Sequence, residues 1–210
     1  MNNKPIKLKK LNKRLKAIYG GRSDLLFHGW HHIDFVTRKA TEFAGLEKAD
    51  LFLVEAAALT HDLNFVVKIN SEVRAGKKLR TQLLQDSGFD LVETKRIEEI
   101  INEAHTATRG KKISLEGKCL SDADSLFKVL PITPMMFTSK YIQENKVDIK
   151  ILASKILTEQ KKLLKNNIYF YTKAANKYLG WARVNLQLWE NVQDSLKDPD
   201  VRELLKQAKL

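Results

Sequence analysis

Apolar residues recur at intervals of three and four along nearly the whole chain, which is the spacing of one face of an α-helix. The pattern predicts a short helix near Asp124 and a final helix from Asp198, besides helices over roughly 1–17, 30–43, 48–62, 71–86, 90–107, 148–165 and 168–193. Only nine glycines and four prolines interrupt the chain, which is sparse for a β-rich fold. The sequence therefore predicts an all-α helical bundle with a long C-terminal helix.

The organisation of the chain is that of one domain. No internal repeat, low-complexity segment or linker divides it. We expect a basic N-terminal segment over 1–21, one helical domain over 22–195 and a helical extension over 196–210. The segment 48–62 is apolar on nearly all sides, which predicts a central buried helix.

Cysteine content and hydropathy indicate a compartment. Cys119 is the single cysteine, so no internal disulfide can form. No window approaches the roughly 18 apolar residues of a membrane span. We therefore expect a cytoplasmic protein without membrane contact.

The net charge of +12 has two readings. A lysine-rich solvated surface would keep the protein soluble, whereas attraction to an anionic nucleotide or nucleic acid would be functional. Apart from an N-terminal cluster, lysine and arginine are spread along the chain, and the sequence shows no helix-turn-helix, zinc-finger or aromatic-basic sheet motif. A nucleic-acid partner therefore stays open without being favoured.

All five histidines lie in the first half of the chain: His28, His31, His32, His61 and His105. His28 and His32 are four residues apart, so they share one face if both are helical. His31 points about 100° away from His32 and cannot share its target.

His61 and Asp62 end the most apolar helix. The pair offers a nitrogen and an anionic oxygen to a divalent transition metal, and a cation would compensate a buried carboxylate. The alternative is a solvated Asp62 beside a hydrogen-bonded core histidine. Downstream, Asp122 and Asp124 cannot both face one way on a helix, so one of them is free to be a cap.

Together, the segments FHGWHHIDFV, LTHDL, DADSLF and FYTKAANKYLGWARVNLQLWENV resemble the HD-domain metal-dependent phosphohydrolase superfamily, in particular a branch of small bacterial nucleotide hydrolases. The shared pattern is a histidine, a His-Asp pair and a distant aspartate, and it covers roughly residues 22–195. The resemblance implies a single HD-domain bundle. It also implies a divalent Mn, Fe, Co, Ni or Zn ion held by His32, His61, Asp62 and Asp124.

The resemblance also implies catalytic roles. His28 matches a position that in some relatives donates a proton to the leaving group, and Asp62 could orient a metal-activated water. His105 falls where relatives often carry a further histidine, which could be a general acid, a phosphate contact or a ligand of a second metal. The alternative for His105 is a histidine at a helix end that faces solvent.

Substrate phosphates could be bound by the basic residues that follow the His-Asp pair, Lys68, Lys77, Lys78 and Arg80, and by Arg183 of the late helix. A solvated helix face is the alternative for each lysine. We expect Trp30, Trp181 and Trp189 in the core or the pocket wall.

The sequence therefore predicts hydrolysis of a small-molecule phosphate, with a nucleotide as the favoured substrate. Two alternatives remain: a nucleotide-sensing HD scaffold without catalysis, and a basic nucleic-acid-binding protein. Phe35 stands where the nucleotide-hydrolase branch tends to have Arg, so the substrate stays open. A homo-oligomer is compatible with the sequence.

Overall fold

The fold is all-α, as predicted. A computed structural model describes residues 3–208, and every regular element within that range is helical. The helices are α1 Lys4–Gly20, α2 Trp30–Glu47, α3 Leu51–Thr60, α4 Leu63–Val67, α5 Lys77–Asp86, α6 Leu91–Ala104, α7 Leu115–Val129, α8 Thr133–Asn145, α9 Ile149–Lys165, α10 Lys173–Asn176, α11 Leu179–Ser195 and α12 Pro199–Gln207. None of these helices is long and apolar enough to cross a membrane.

Helix α3 lies at the centre of the bundle and packs against α1, α2, α6 and α7. The Asp50 side chain caps its first turn by accepting the backbone N–H groups of Phe52 and Leu53, at 2.9 and 3.2 Å. Its middle contains Ala56, Ala57 and Ala58, all fully buried, and such small side chains let neighbouring helices approach closely. The predicted central helix is therefore confirmed, and its end carries the His-Asp pair.

The basic first helix packs on the same core. Leu11, Leu15 and Tyr19 of α1 are buried in the main hydrophobic cluster, while most of its lysines face outward. Residues 1–2 of the predicted N-terminal segment and residues 209–210 of the predicted extension lie outside the described part of the chain.

A second, smaller hydrophobic cluster lies between α9 and α11. It contains Leu152, Ala153, Leu157 and Trp189. Because this cluster is separate from the main core, a cavity is left between the two helices and the central bundle.

Helix α8 was not predicted from the sequence. Pro134 occupies its first turn, where the missing N–H costs nothing. The predicted short helix near Asp124 is a 15-residue helix, because the Ser114 hydroxyl caps it by accepting the Gly117 N–H.

The single helix predicted over 168–193 is wrong at its start. The Asp122 carboxylate accepts the backbone N–H groups of Tyr171 and Thr172, at 2.9 and 2.8 Å, so these groups are not available to a helix. The Thr172 hydroxyl then caps the short α10, and the long helix begins only at Leu179. A tertiary contact overrides the local periodicity here.

Three other helix boundaries also differ from prediction. The helix predicted over 71–86 begins with a 3-10 turn at Val73–Gly76, and α6 ends at Ala104 because His105 is extended. Helix α2 continues through Gly45 to Glu47, so the glycine does not end it.

Candidate metal centre

Three helices bring the predicted ligands together. His32 lies in the first turn of α2, His61 and Asp62 follow the last turn of α3, and Asp124 lies in the middle of α7. Because α2 packs against both α3 and α7, these side chains converge from different directions.

The two histidines and Asp62 form a tight group. The His32 Nε2 atom lies 3.2 Å from His61 Nε2 and 3.1 Å from Asp62 Oδ2, and His61 Nε2 lies 3.3 Å from the same oxygen. One nitrogen or oxygen from each residue lies within 4.8 Å of the others. Asp124 is farther away, with its Oδ1 atom 3.7 Å from His32 Nε2.

The hydrogen bonding of His61 directs its free nitrogen to the group. Its Nδ1 atom lies 2.7 Å from the Ala58 carbonyl oxygen, so Nδ1–H donates and Nε2 keeps a lone pair. Burial lowers the pKa of His32, which favours the neutral form of that ring. Two ring nitrogens and a carboxylate oxygen thus face one point, and a cation bound there would be in reach of all three.

The electrostatic field supports the same conclusion. Burial alone would raise the pKa of Asp62, but His61 and His32 hold it well below its ordinary value. Burial would lower the pKa of His61, yet Asp62 and Asp124 raise it. The pocket therefore attracts positive charge, and its mixed nitrogen and oxygen donors fit a divalent transition metal.

Lys128 lies at the candidate site and was not selected from the sequence. Its Nζ atom lies 2.7 Å from Asp124 Oδ2 and donates to the Thr106 hydroxyl at 3.0 Å. The two residues are one turn apart on α7, and this spacing was the available signal. Asp124 thus directs its Oδ1 atom toward His32 and its Oδ2 atom to the ammonium group of Lys128.

The neighbouring Asp122 is turned away from the centre. It is fully buried and accepts the backbone N–H groups of residues 171–172. Of the two aspartates, only Asp124 lies beside His32, as the resemblance implied.

His28 is held by a second missed residue, Glu144 of α8. The Glu144 carboxylate accepts the backbone N–H groups of Phe27 and His28, at 2.7 and 3.1 Å, and also contacts His28 Nδ1. The His28 ring stacks on Phe65, with centroids 3.5 Å apart. Burial opposes a low pKa for Glu144, but the hydrogen bonds from His28 lower it. No sequence signal pointed to Glu144, since α8 itself was not predicted.

The centre opens into a cavity of about 350 Å³, a size typical of small-molecule sites. His28, His32, His61, Asp62, His105 and Asp124 all line it, together with Lys128. Burial, followed by the charge of Lys128, lowers the pKa of His105. Residues of α8, α9 and α11 also line the cavity, and they include Trp189, which confirms its predicted place in the pocket wall.

The predicted phosphate contacts lie elsewhere. Arg80 is fully buried and binds both carboxylate oxygens of Glu98, at 2.6 and 3.1 Å, and the Thr60 carbonyl oxygen at 3.2 Å. Its predicted role at the substrate is therefore wrong, because its guanidinium holds the end of α3. The remaining predicted cations are exposed and do not line the cavity: Lys68, Lys77, Lys78 and Arg183. The lysines that do line it are Lys128 and Lys155.

Comparisons with known proteins identify relatives. No family model matches the chain. An uncharacterized Bacillus subtilis protein, YpgQ, is 39% identical over 103 residues, which span 47% of this chain and only 50% of that protein.

Two crystal structures share the fold. Bacillus subtilis YpgQ matches with a TM-score of 0.57 and 20% identity, over 98% of this chain and 97% of that one. A Lactobacillus plantarum protein matches with a TM-score of 0.63 and 21% identity, over 91% and 95%.

Proposed function

We propose that this chain is an HD-type metal-dependent phosphohydrolase that acts on a nucleotide or a related phosphate ester. The observation that carries the proposal is the convergence of His32, His61, Asp62 and Asp124 from three helices at the wall of one cavity. The order and spacing of these residues resemble the superfamily, and their geometry fits a cation.

The proposed ligands are the two histidine Nε2 atoms and the two aspartate carboxylates. A divalent ion bound there would lower the pKa of a water molecule and neutralise charge that develops on the phosphoryl oxygens. The hydrogen bond from His61 Nδ1 to the Ala58 carbonyl oxygen fixes the orientation of the ring, so that its Nε2 atom already faces the proposed metal position.

Protein groups around the centre supply the remaining chemistry. The His28 Nδ1 atom is fixed by Glu144, so the opposite ring nitrogen is the one that can donate a proton to the leaving oxygen. Lys128 Nζ, which already holds Asp124, offers positive charge to a phosphoryl group, and His105 lines the same side. The half-buried ring of Phe65 stacks on His28 and holds its ring plane beside the cavity.

The test is phosphate and pyrophosphate release from nucleoside mono-, di- and triphosphates, with Mn²⁺, Co²⁺, Ni²⁺, Fe²⁺ or Zn²⁺ added in turn. Asp62→Asn keeps the shape of the side chain but removes its charge, and we expect turnover to fall at least 100-fold. Lys68→Ala is the matched control, because Lys68 is exposed outside the cavity, and it should retain full activity.

The outcomes separate the functional alternatives. Metal-dependent turnover that Asp62→Asn abolishes supports the proposal. Nucleotide binding without turnover under any metal would contradict it and favour the nucleotide-sensing scaffold.

A further inference from the structure

A buried amide pair lines the same cavity from α9 and α11. Gln160 of α9 and Asn185 of α11 are only 6% and 5% exposed, and both line the cavity. The Asn185 side-chain nitrogen donates to the Gln160 side-chain oxygen at 3.1 Å. The pair links the two helices that form this part of the cavity wall.

The pair is incompletely satisfied. The Asn185 Oδ1 atom is buried and has no hydrogen-bond partner. Among the described residues, no hydrogen bond uses the Gln160 amide nitrogen either. An unpaired buried acceptor is costly, and an apolar pair of the same size would fill this helix interface without that cost. A role in fold stability alone therefore does not explain these two amides.

The two helices that carry the pair bring apolar and aromatic side chains to the cavity. Leu152, Ile156 and Trp189 line it, alongside the charged Lys155 and Glu159, and Leu152 and Trp189 belong to the smaller hydrophobic cluster. A ligand that fits this wall needs a flat apolar face and a polar edge. A phosphate has no apolar face, whereas a nucleobase has both features.

The hydrogen-bonding capacity of the pair also matches a base. An unused oxygen and an unused NH₂ group present an acceptor and a donor, and a rotation of both amides exchanges their places. Each nucleobase carries a donor next to an acceptor on its pairing edge, which proteins read with such groups.

We propose that Gln160 and Asn185 form a nucleobase-binding subsite, so that the ligand of this cavity is a nucleotide with its base on the α9–α11 wall and its phosphates toward the histidines. This inference rests on the proposed function for the phosphate end only. The base end is carried by the amide pair and the aromatic wall.

The experiment is an NMR titration of the full-length, ¹⁵N-labelled protein with uncharged nucleosides, carried out in EDTA. Adenosine, guanosine, cytidine and thymidine are compared with ribose, so that neither metal nor turnover is needed. We expect at least one nucleoside to shift the Gln160 and Asn185 side-chain amide resonances, and ribose to leave them unchanged.

The variant that tests the residues is the double substitution Gln160→Met and Asn185→Leu. It removes both amides at nearly constant volume, so no polar atom of the pair is left unpaired. We expect affinity for the preferred nucleoside to fall about 10-fold or more, since each lost hydrogen bond is worth up to roughly tenfold. The matched control is Gln187→Met with Asn191→Leu, an exposed amide pair on α11 with the same 3.1 Å bond.

Each outcome bears on the subsite. Loss in the cavity variant but not in the control supports it. Absence of nucleoside binding by the wild type, equal binding of ribose, or unchanged affinity in the double variant would overturn it. A protein that binds nucleosides but hydrolyses nothing would refute the proposed function and leave the subsite standing.

Discussion

Glu144 offers the sharpest separation of structural and catalytic roles, because two substitutions at this residue have different consequences. Its carboxylate accepts hydrogen bonds from three donors: the backbone N–H groups of Phe27 and His28, and the His28 Nδ1 atom. Glu144→Ala leaves all three donors buried without a partner. At roughly 1–3 kcal/mol for each, reduced by local relaxation, we expect a loss of about 4 kcal/mol in the free energy of unfolding.

Glu144→Gln preserves more of the structure. Both backbone N–H groups bind the same carboxylate oxygen, which the amide oxygen of glutamine can replace. The amide NH₂ group then faces His28 Nδ1 and can only donate, so Nδ1 must accept and the ring can no longer carry a proton on both nitrogens, the form that acts as a general acid. We expect a stability loss of about 1–2 kcal/mol, because the hydrogen bonds are no longer charge-assisted.

The catalytic effect should depend on the leaving group. If His28 donates a proton, Glu144→Gln should lower kcat about 100-fold for substrates with a poorly stabilised leaving oxygen, within the usual range for general acid catalysis. It should hardly affect a p-nitrophenyl ester, whose leaving group departs without a proton. Urea unfolding and a leaving-group series provide the two measurements.

Equal loss of kcat for every leaving group would refute the proton-donor role of His28. Equal destabilisation by Gln and Ala would refute the assignment of the backbone bonds to one carboxylate oxygen.

Three further predictions follow from buried groups away from the centre. Arg80→Met leaves the Glu98 carboxylate buried and unpaired, so urea unfolding should show that the free energy of unfolding falls by about 3–5 kcal/mol. Adding Glu98→Leu should restore most of that stability, and a double variant as unstable as Arg80→Met would contradict the prediction. Burial raises the pKa of the Cys119 thiol to about 12, so the native protein should not react with an aromatic disulfide reagent at pH 8. The denatured chain should release one equivalent of the reagent's thiolate, and rapid labelling of the native protein would contradict the burial of Cys119. Burial also raises the pKa of Asp122 from 3.8 to about 6, so between pH 4 and 6 the folded state binds more protons than the unfolded state, and the free energy of unfolding falls as pH rises. Asp122→Asn should remove up to about 3 kcal/mol of this pH dependence, and an unchanged slope of unfolding free energy against pH would contradict the prediction.

Sequence periodicity predicted those elements whose environment follows from their own residues. Helix α9 was expected over 148–165 and is found at Ile149–Lys165, because its apolar face and its Asp148 cap both lie within the segment. The start of the last long helix could not be predicted, since Asp122, about 50 residues away, takes the N–H groups of residues 171–172.

The candidate site divides in the same way. His32, His61 and Asp62 were chosen from the sequence, and the structure brings their ligand atoms within 4.8 Å of one another. Glu144 was missed because it acts through α8, which sequence reasoning left out. Arg80 was misassigned because its distant partner, Glu98, gives a buried ion pair that no local pattern reveals.

The central claim is that this cluster holds a divalent metal, and metal content tests it most directly. The protein is loaded with Mn²⁺, desalted and analysed by mass spectrometry, beside His61→Ala and the control His31→Ala, whose ring stacks on Phe137 instead. The account predicts about one ion per chain in the wild type and in the control, and none in His61→Ala. Absence of metal from the wild type, or equal metal in His61→Ala, would contradict it.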